Sequence, residues 1–544
     1  MTRIVTAVKR WVHFNDGVVP FDRPHALSRL ADETFDVLVV GGGITGAGCA
    51  LDAATRGLRV ALVDAQDFAS GTSSKSSKLV HGGLRYLQQG ELRLVYEALA
   101  ERQILARNAP HLVQMLPFLL PMFRDGGFID RRLARGLGAA MWGYDVTGGF
   151  RYGKLHERLS HAEALEYFPT LDADRLTEAY VYYDAHADDA RLTLAIARTA
   201  AAHGATLANY ARVRSFTHDP SGRVVGAVVE ADGATIDVRA RVIINACGVW
   251  SDRVRAYDRD AAPALLRPAK GIHITVPRSL VRNKIAAVLP VPDDKRTVFV
   301  VPWGDFTYVG TTDTDYDGDI DDPRCSDDDV AYLLRTINAS LAAPIARDDI
   351  VGAWAGLRPL VAATRNSRGR TSDLSRRHLV HVANSGLITV TGGKLTTYRR
   401  MAQDTIDHAR RLLGLHGHRC LTSRVPLVGA DGFPGAAPTG HLAERFGSEA
   451  AAVLRIAEDP ELSRPLIDGL PYLRAEVVFA ARYEMAQTVD DVLSRRTRAR
   501  LLARRESIAA ADDVAALLGH ELGLSPAARR QQVNAYRSRV TDAE

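Results

Sequence analysis

The chain has 544 residues, 46% of them hydrophobic and 24% charged, with a formal net charge of +5. That is the balance of a globular chain of two or three domains; repeats and low-complexity segments are absent, and so small a basic excess does not argue for nucleic-acid binding. Four cysteines without CxxC pairing or metal spacing argue against a disulfide framework or a metal site, and fit a reducing, cytoplasmic setting.

No apolar run approaches the roughly 18 residues that a spanning helix needs. The opening MTRIVTAVKRWVHFND lacks the apolar core of a secretory signal. In RIVTAVKRWVHF, Ile4, Val8, Trp11 and Val12 share one helical face, with Arg3, Lys9 and Arg10 elsewhere. This suits either a basic interfacial helix or a packed N-terminal arm.

FDVLVV (35–40) reads as a β-strand, stopped by Gly41-Gly42-Gly43. Helical periodicity then runs to Thr55, and Arg59–Asp64 reads as a second strand, completing a β-turn-α-β unit. Gly41, Gly43 and Gly46 form G-x-G-x-x-G at the strand-to-helix turn. The spacing brings a helix N-terminus, with its exposed N–H groups and positive dipole end, up to a pyrophosphate. Asp64 can accept hydrogen bonds from ribose hydroxyls. The fingerprint indicates a dinucleotide; by itself it leaves NAD and FAD open.

Next comes DFASGTSSKSSKLVHGGLRYL, dense in hydroxyls. It reads as a lining for a pyrophosphate and a ribityl chain, or as a solvated Ser-rich loop. His81-Gly82-Gly83 would bring bare backbone against a flat ring. Helical stripes follow at 91–107 and 131–142, and 188–204 opens with capping aspartates. Asp188, Asp189 and Arg191 read as a helix cap and an ion pair. LPFLLPMFRDGGFIDRRLARGLGAAMW (116–142) reads as a cap of the substrate region or as a membrane contact. Strands dominate 204–250 and recur at 272–276, 297–302 and 307–311. After about residue 425 helices take over, notably 475–500 and 511–523, behind a Pro/Gly-rich linker at 429–440. The Arg-rich SRRTRARLLARR and RVPLVGADG read as solvated faces, with a docking surface as the alternative. Cys49 and Cys247 read as small packing residues.

Several stretches together resemble the FAD-dependent glycerol-3-phosphate dehydrogenases, relatives of D-amino acid oxidase: VVGGGITGAGCALDAATRGLRVALVD, FASGTSSKSSKLVHGGLRYL, YYDAHADDARL, INACGVWSD, KGIHI, VGTTDTDY, GLRPL, TVTGGKLTTYR and TVDDVLSRRTR. The resemblance implies an α/β fold: a Rossmann-like FAD-binding domain interleaved with a mixed-sheet substrate domain, followed by an all-helical C-terminal domain. The segments it implies are an arm (1–32), FAD-binding parts at 33–110, 179–262 and 356–424, a cap segment at 111–178, a substrate-binding domain at 263–355 and a helical domain at 425–544.

By resemblance, Arg85, Tyr86, Thr311, Arg358 and Lys394 line a glycerol 3-phosphate pocket. The chemistry needs cations for a phosphate dianion, a group that stabilises a developing alkoxide, and a proton acceptor. Arg85 and one of Arg358 or Lys394 are expected on the substrate, with the other cation at the alkoxide and reduced flavin. His81 and His273 are the candidate bases, each with a structural reading beside it. FAD contacts are expected from Gly41, Gly43, Ile44, Gly46, Asp64, Ser70, Thr72, Ser73, Ser77, Lys78, Leu79, His81, Gly82, Gly83, Ala246, Gly248, Gly393, Lys394, Leu395 and Thr396. Lys394 follows a Gly pair at the start of a helical run, where a helix N-terminus could favour a flavin anion. The implied partners are sn-glycerol 3-phosphate and a membrane quinone, with peripheral attachment to the cytoplasmic face of the membrane, no nucleic acid, and a homodimer compatible. Rival readings are an oxidase that gives its electrons to oxygen, disfavoured by the lack of a long insertion, and an amine or amino-acid oxidase.

Overall fold

A computed structural model describes residues 18–19, 21–83, 91–124, 155–259, 263–292, 296–362, 377–434 and 440–541. The amphipathic start, Arg85, Tyr86 and the stripe at 131–142 lie outside the described residues.

The nucleotide unit forms as its pattern dictates. Thr34–Val40 pairs in parallel with Val60–Val63 on one side and with Ala234–Asn245 on the other. Its residues alternate between two cores: Val37 and Val39 join one cluster, Leu38 and Val40 the other. A strand buried on both faces needs the continuous apolar run that FDVLVV supplies. The order across the sheet is His378–Val382, Ile388–Gly392, Ala234–Asn245, Thr34–Val40, Val60–Val63, Thr206–Ala208. Helices Ile44–Thr55, Asp189–Ala202 and Tyr398–Leu412 supply one core. The other face is covered by the helix Arg23–Asp32 and the antiparallel ribbon Ala211–His218, Val224–Ala231. Asp188 caps the helix Asp189–Ala202, its side chain accepting from the N–H groups of Ala190 and Arg191.

The second sheet is mixed. Leu266–Pro277 lies between Phe306–Gly310 and Gly352–Val361, and the chain of pairings runs on through Thr297–Trp303, Ala286–Pro290, Gln114–Phe123 and Leu176–His186 to Leu79–Val80. One face packs under the helix Asp327–Asn338. The other carries Phe118, Tyr182, Tyr308 and Trp354, and receives the 70–83 loop: the Tyr308 hydroxyl donates to Ser77 O at 2.9 Å. Leu79–Val80 and the whole of Leu176–His186 therefore belong to this sheet.

The C-terminal region is helical, but 475–500 is not one helix. Arg474–Tyr483 ends before Met485, whose φ is +52, and a widened i→i−5 turn at Asp491–Arg496 closes before Arg498, whose φ is +64. The side chain of Asp491 takes the N–H groups of Gln487 and Thr488, which starts the second segment afresh. Ala511–Leu522 ends at a left-handed glycine, Gly523. The start of the expected linker is packed rather than free: Val428 N–H donates to Thr199, and a Cβ on Gly429 would lie 2.5 Å from Phe446 O.

Candidate active site

Two glycines of the fingerprint have no room for a side chain. A Cβ on Gly41 would lie 2.7 Å from Ala246 O, and one on Gly46 only 1.8 Å from Gly41 O. The helix Ile44–Thr55 can approach its sheet, and a ligand its N-terminus, only because these atoms are missing. Ser73 Oγ accepts the Ile44 N–H at 2.9 Å, joining the second loop to the helix start. Asp64 accepts N–H groups from Gly42 at 2.5 Å and Gln66 at 2.8 Å. Burial raises its carboxyl to about 6 against these hydrogen bonds. Each carboxylate oxygen keeps acceptor capacity for a hydroxyl.

These elements open onto a cavity of about 510 Å³. Of the expected FAD contacts, Gly41, Gly43, Ile44, Asp64, Ser70, Thr72, Ser73, Ala246, Gly248, Gly393, Lys394 and Leu395 line it. Gly392 and Gly393 have φ of +78 and +74, and a Cβ on Gly393 would meet Met401 Sδ at 2.4 Å. The Gly pair therefore turns the strand Ile388–Gly392 sharply into Lys394, which opens a short 3-10 turn before the helix Tyr398–Leu412. Sequence reasoning missed the opposite wall. Trp250 lies over Gly71, whose Cβ would come within 2.7 Å of the indole, and its Nε1 donates to Asp321 at 2.5 Å. Arg212, Arg253 and Tyr257 complete that side. INACGVWSD was the signal in the sequence: it gave a strand end with FAD contacts at Ala246 and Gly248, but not Trp250.

The remaining expected contacts do not line this cavity. Gly46 is buried in the fingerprint helix, and Leu79 in the second sheet. Lys78 is 1% exposed; its Nζ donates to Asp189 at 2.9 Å and to Ser74 O at 3.1 Å, holding the loop from behind. His81 and Thr396 are tied together, His81 N–H donating to Thr396 Oγ1 at 3.1 Å. Gly82 N–H donates to Asp184 at 3.3 Å, and Gly83 has φ +85. His273 is 2% exposed and stacked on Trp354 at 4.6 Å, with Nε2 2.9 Å from Ser77 Oγ. Burial, then Lys78 and Arg358, hold its pKa well below the usual imidazole range, so it is neutral.

Arg358 and Thr311, far apart in sequence, meet on the second sheet. The Arg358 guanidinium donates to Thr311 Oγ1 and Thr312 O, both at 3.1 Å, and pairs with Asp313 at 3.3 Å. Their space is made by Gly271, where a Cβ would lie 2.4 Å from Thr311 Oγ1 and 2.6 Å from Arg358 Nη2. Gly271 is inside KGIHI, yet nothing in the sequence indicates what it makes room for. Pro359, next to Arg358, lines the same cavity as Lys394.

The Arg-rich run overturns its reading as a solvated face. Arg495, Arg496 and Arg498 are 6%, 3% and 1% exposed. Arg495 and Arg496 both donate to Asp67 at 2.7 Å, and Arg498 pairs with Asp188 at 2.9 Å and with Asp189. Arg498 also donates to Ser74 O at 3.1 Å. Buried guanidinium groups demand carboxylate partners; Asp490 and Asp491 serve Arg495 from its own segment, while Asp67 comes from the loop after Val60–Val63 and Asp188 and Asp189 from the start of the helix Asp189–Ala202. The helical region is thereby clamped onto the back of the 64–78 loop that forms the cavity.

The sequence model described as FAD dependent oxidoreductase matches residues 36–399, and one described as the C-terminal domain of alpha-glycerophosphate oxidase matches 420–529. Glycerol-3-phosphate dehydrogenase 2 of Mycobacterium tuberculosis is 41% identical over 540 residues, covering 96% of this chain and 90% of the relative. The mitochondrial glycerol-3-phosphate dehydrogenase of Mesocricetus auratus is 39% identical over 528 residues, covering 90% and 71%. The crystal structure of the glycerol-3-phosphate dehydrogenase from Bacillus halodurans, complexed with FAD, superimposes with a TM-score of 0.77 at 31% identity, covering 95% of this chain and 96% of that one. The cofactor is FAD, and the glycine cradle, the Asp64 carboxylate and the cavity running on to Lys394 fit it. The chain belongs to the FAD-dependent oxidoreductase family of the D-amino acid oxidase type, among the glycerol-3-phosphate dehydrogenases.

Proposed function

We propose that the protein oxidises sn-glycerol 3-phosphate at C2 to dihydroxyacetone phosphate and delivers the electrons to a membrane quinone from the cytoplasmic face. The observation that carries this reading is the junction of the FAD cavity with the strand bearing Arg358: Lys394 and Pro359 line one space. When bound there, FAD supplies the acceptor for the hydride that leaves C2. Arg358, fixed by Thr311, Thr312 and Asp313, is the guanidinium charge assigned to the phosphate oxygens. Arg85 and Tyr86 are assigned to the same phosphate. Lys394 supplies a mobile positive charge where the C2 oxygen becomes an alkoxide. Of the two candidate bases, His81 is half-buried and has its backbone clamped to Thr396, whereas His273 is sealed against Trp354. His81 is therefore assigned the hydroxyl proton, and His273 the role of fixing Ser77.

The reading takes attachment to the membrane as peripheral; among the described residues no helix is long and apolar enough to cross a membrane. Anaerobic glycerol 3-phosphate should bleach the flavin absorbance of purified protein, and glycerol should not; no bleaching would refute the substrate assignment. A second reading, transfer to oxygen, draws on the oxidase description of the C-terminal match. Peroxide release outpacing reduction of a quinone analogue would favour it.

A further inference from the structure

A second cavity, of about 840 Å³, lies where one side of the helix Tyr398–Leu412 meets residues 415–423 and the end of the helix Ile44–Thr55. It shares no lining residue with the FAD cavity. Its lining is strongly cationic: Arg56, Arg399, Arg410, Arg411 and Arg419 stand against the single carboxylate of Asp407. Two of these charges are already matched. Arg56 pairs with Asp52 and Asp407, each at 2.5 Å, and Arg399 pairs with Glu101 at 2.5 Å.

The other three have no carboxylate partner among the described residues. Arg411 meets only His408, at 3.3 Å, while Arg419 is exposed on the rim beside His416 and His418. Arg410 is 5% exposed, and its Nη2 makes no hydrogen bond. A guanidinium withdrawn from water without a counter-charge is costly. Elsewhere this chain meets that cost with aspartates, as at Asp67 and Asp188. Here it does not, and the uncompensated charge faces an open, roomy cavity.

We propose that this cavity binds a phosphate-class dianion, apart from both the FAD and the substrate. Planar guanidinium forks suit phosphate oxygens, and three of them balance a dianion with charge to spare. A free phosphate ester and the headgroup of an anionic lipid offer the same chemistry. Leu415 and Leu421, 37% and 45% exposed on the adjoining segment, leave the lipid source open.

The test uses FAD-loaded protein, with inorganic pyrophosphate as the soluble probe and phosphatidic acid or phosphatidylcholine vesicles as the lipid probes. Hydrogen exchange across 410–423 is read together with binding isotherms. Protection by pyrophosphate assigns a soluble phosphate, and protection by phosphatidic acid but not phosphatidylcholine vesicles assigns a headgroup. Arg411→Gln/Arg419→Gln, both surface changes, should weaken whichever probe binds by roughly tenfold or more. Its kcat/KM should stay within roughly twofold, since neither residue touches the FAD cavity. Arg410→Gln should weaken binding further if it folds; the double variant is decisive without it. Protection by neither probe, or unchanged binding by the double variant, overturns the proposal.

Discussion

Arg358→Ala isolates the phosphate assignment. In the folded chain the guanidinium holds Thr311 Oγ1 and Thr312 O, and its pairing with Asp313 joins side chains 22% and 7% exposed. Under the proposed assignment, truncation removes the charged fork from the substrate, and it leaves Asp313 without this cation. Losing one or two charge-assisted hydrogen bonds, at about 1.5–3 kcal/mol each, gives a loss of roughly 1.5–6 kcal/mol in transition-state binding. That is about 10- to 10⁴-fold in kcat/KM. Arg93, exposed on the helix Leu92–Asn108, is the control: Arg93→Ala should stay within about threefold. The assay is anaerobic flavin reduction by glycerol 3-phosphate over a concentration series, with thermal denaturation run in parallel to separate lost substrate binding from lost folding. Arg358→Lys should recover only part of the loss, because an ammonium keeps the charge but not the fork. Equal losses for Arg358→Ala and Arg93→Ala would mean that the phosphate binds elsewhere.

Gly271→Ala should also lower kcat/KM, because its Cβ would press on both Thr311 Oγ1 and Arg358 Nη2; an unaffected variant would show that their geometry is irrelevant to turnover. Gly46→Ala puts a Cβ 1.8 Å from Gly41 O, so purified protein should lose its flavin absorbance, and full FAD retention would contradict the cradle. Asp67→Asn leaves Arg495 and Arg496 buried without that counter-charge and should cost roughly 3–5 kcal/mol in urea denaturation; an unchanged midpoint would remove the clamp from the account. For Asp188, burial pushes the carboxyl up, but Arg498, Arg445 and Lys78 outweigh it and hold it at about 2. The unfolded chain therefore binds the extra proton first, and stability falls as pH drops from about 4 towards 2, by an amount on the order of 2.5 kcal/mol. The stability gap between wild type and Asp188→Asn should narrow across that window; a constant gap would refute the assignment.

What the sequence could convey follows from range. The fingerprint lies within one strand, one turn and one helix, so its glycine spacing and apolar run specify both local structure and ligand class. Arg358 and Thr311 could be nominated by resemblance, but not brought together by any pattern, because their meeting depends on Gly271 in a third segment. The wall at Trp250, Arg253 and Tyr257 was illegible for the same reason: it becomes a wall only when Gly71 comes to lie under the indole.

The Arg run shows why charge pattern alone misleads. On its own helical segment, SRRTRARLLARR has the look of a solvated face, since unpaired guanidinium groups belong in water. Arg495 has near partners in Asp490 and Asp491, but the other counter-charges are remote: Asp67 is 428 residues from Arg495, and Asp189 is 309 from Arg498. Once they meet, burying the run becomes tolerable, and what it secures is geometry more than stability. Hydrophobic residues of similar size could hold two domains together. They could not bring Arg498 to the Ser74 carbonyl that Lys78 also takes. The loop whose Ser70, Thr72 and Ser73 line the cofactor cavity is thus held by charges from a domain that, among the described residues, lines no part of that cavity. This makes the helical region a support for the cofactor loop, and it gives the Asp67 and Asp188 variants a second readout: FAD should dissociate from them faster than from wild type even where both remain folded.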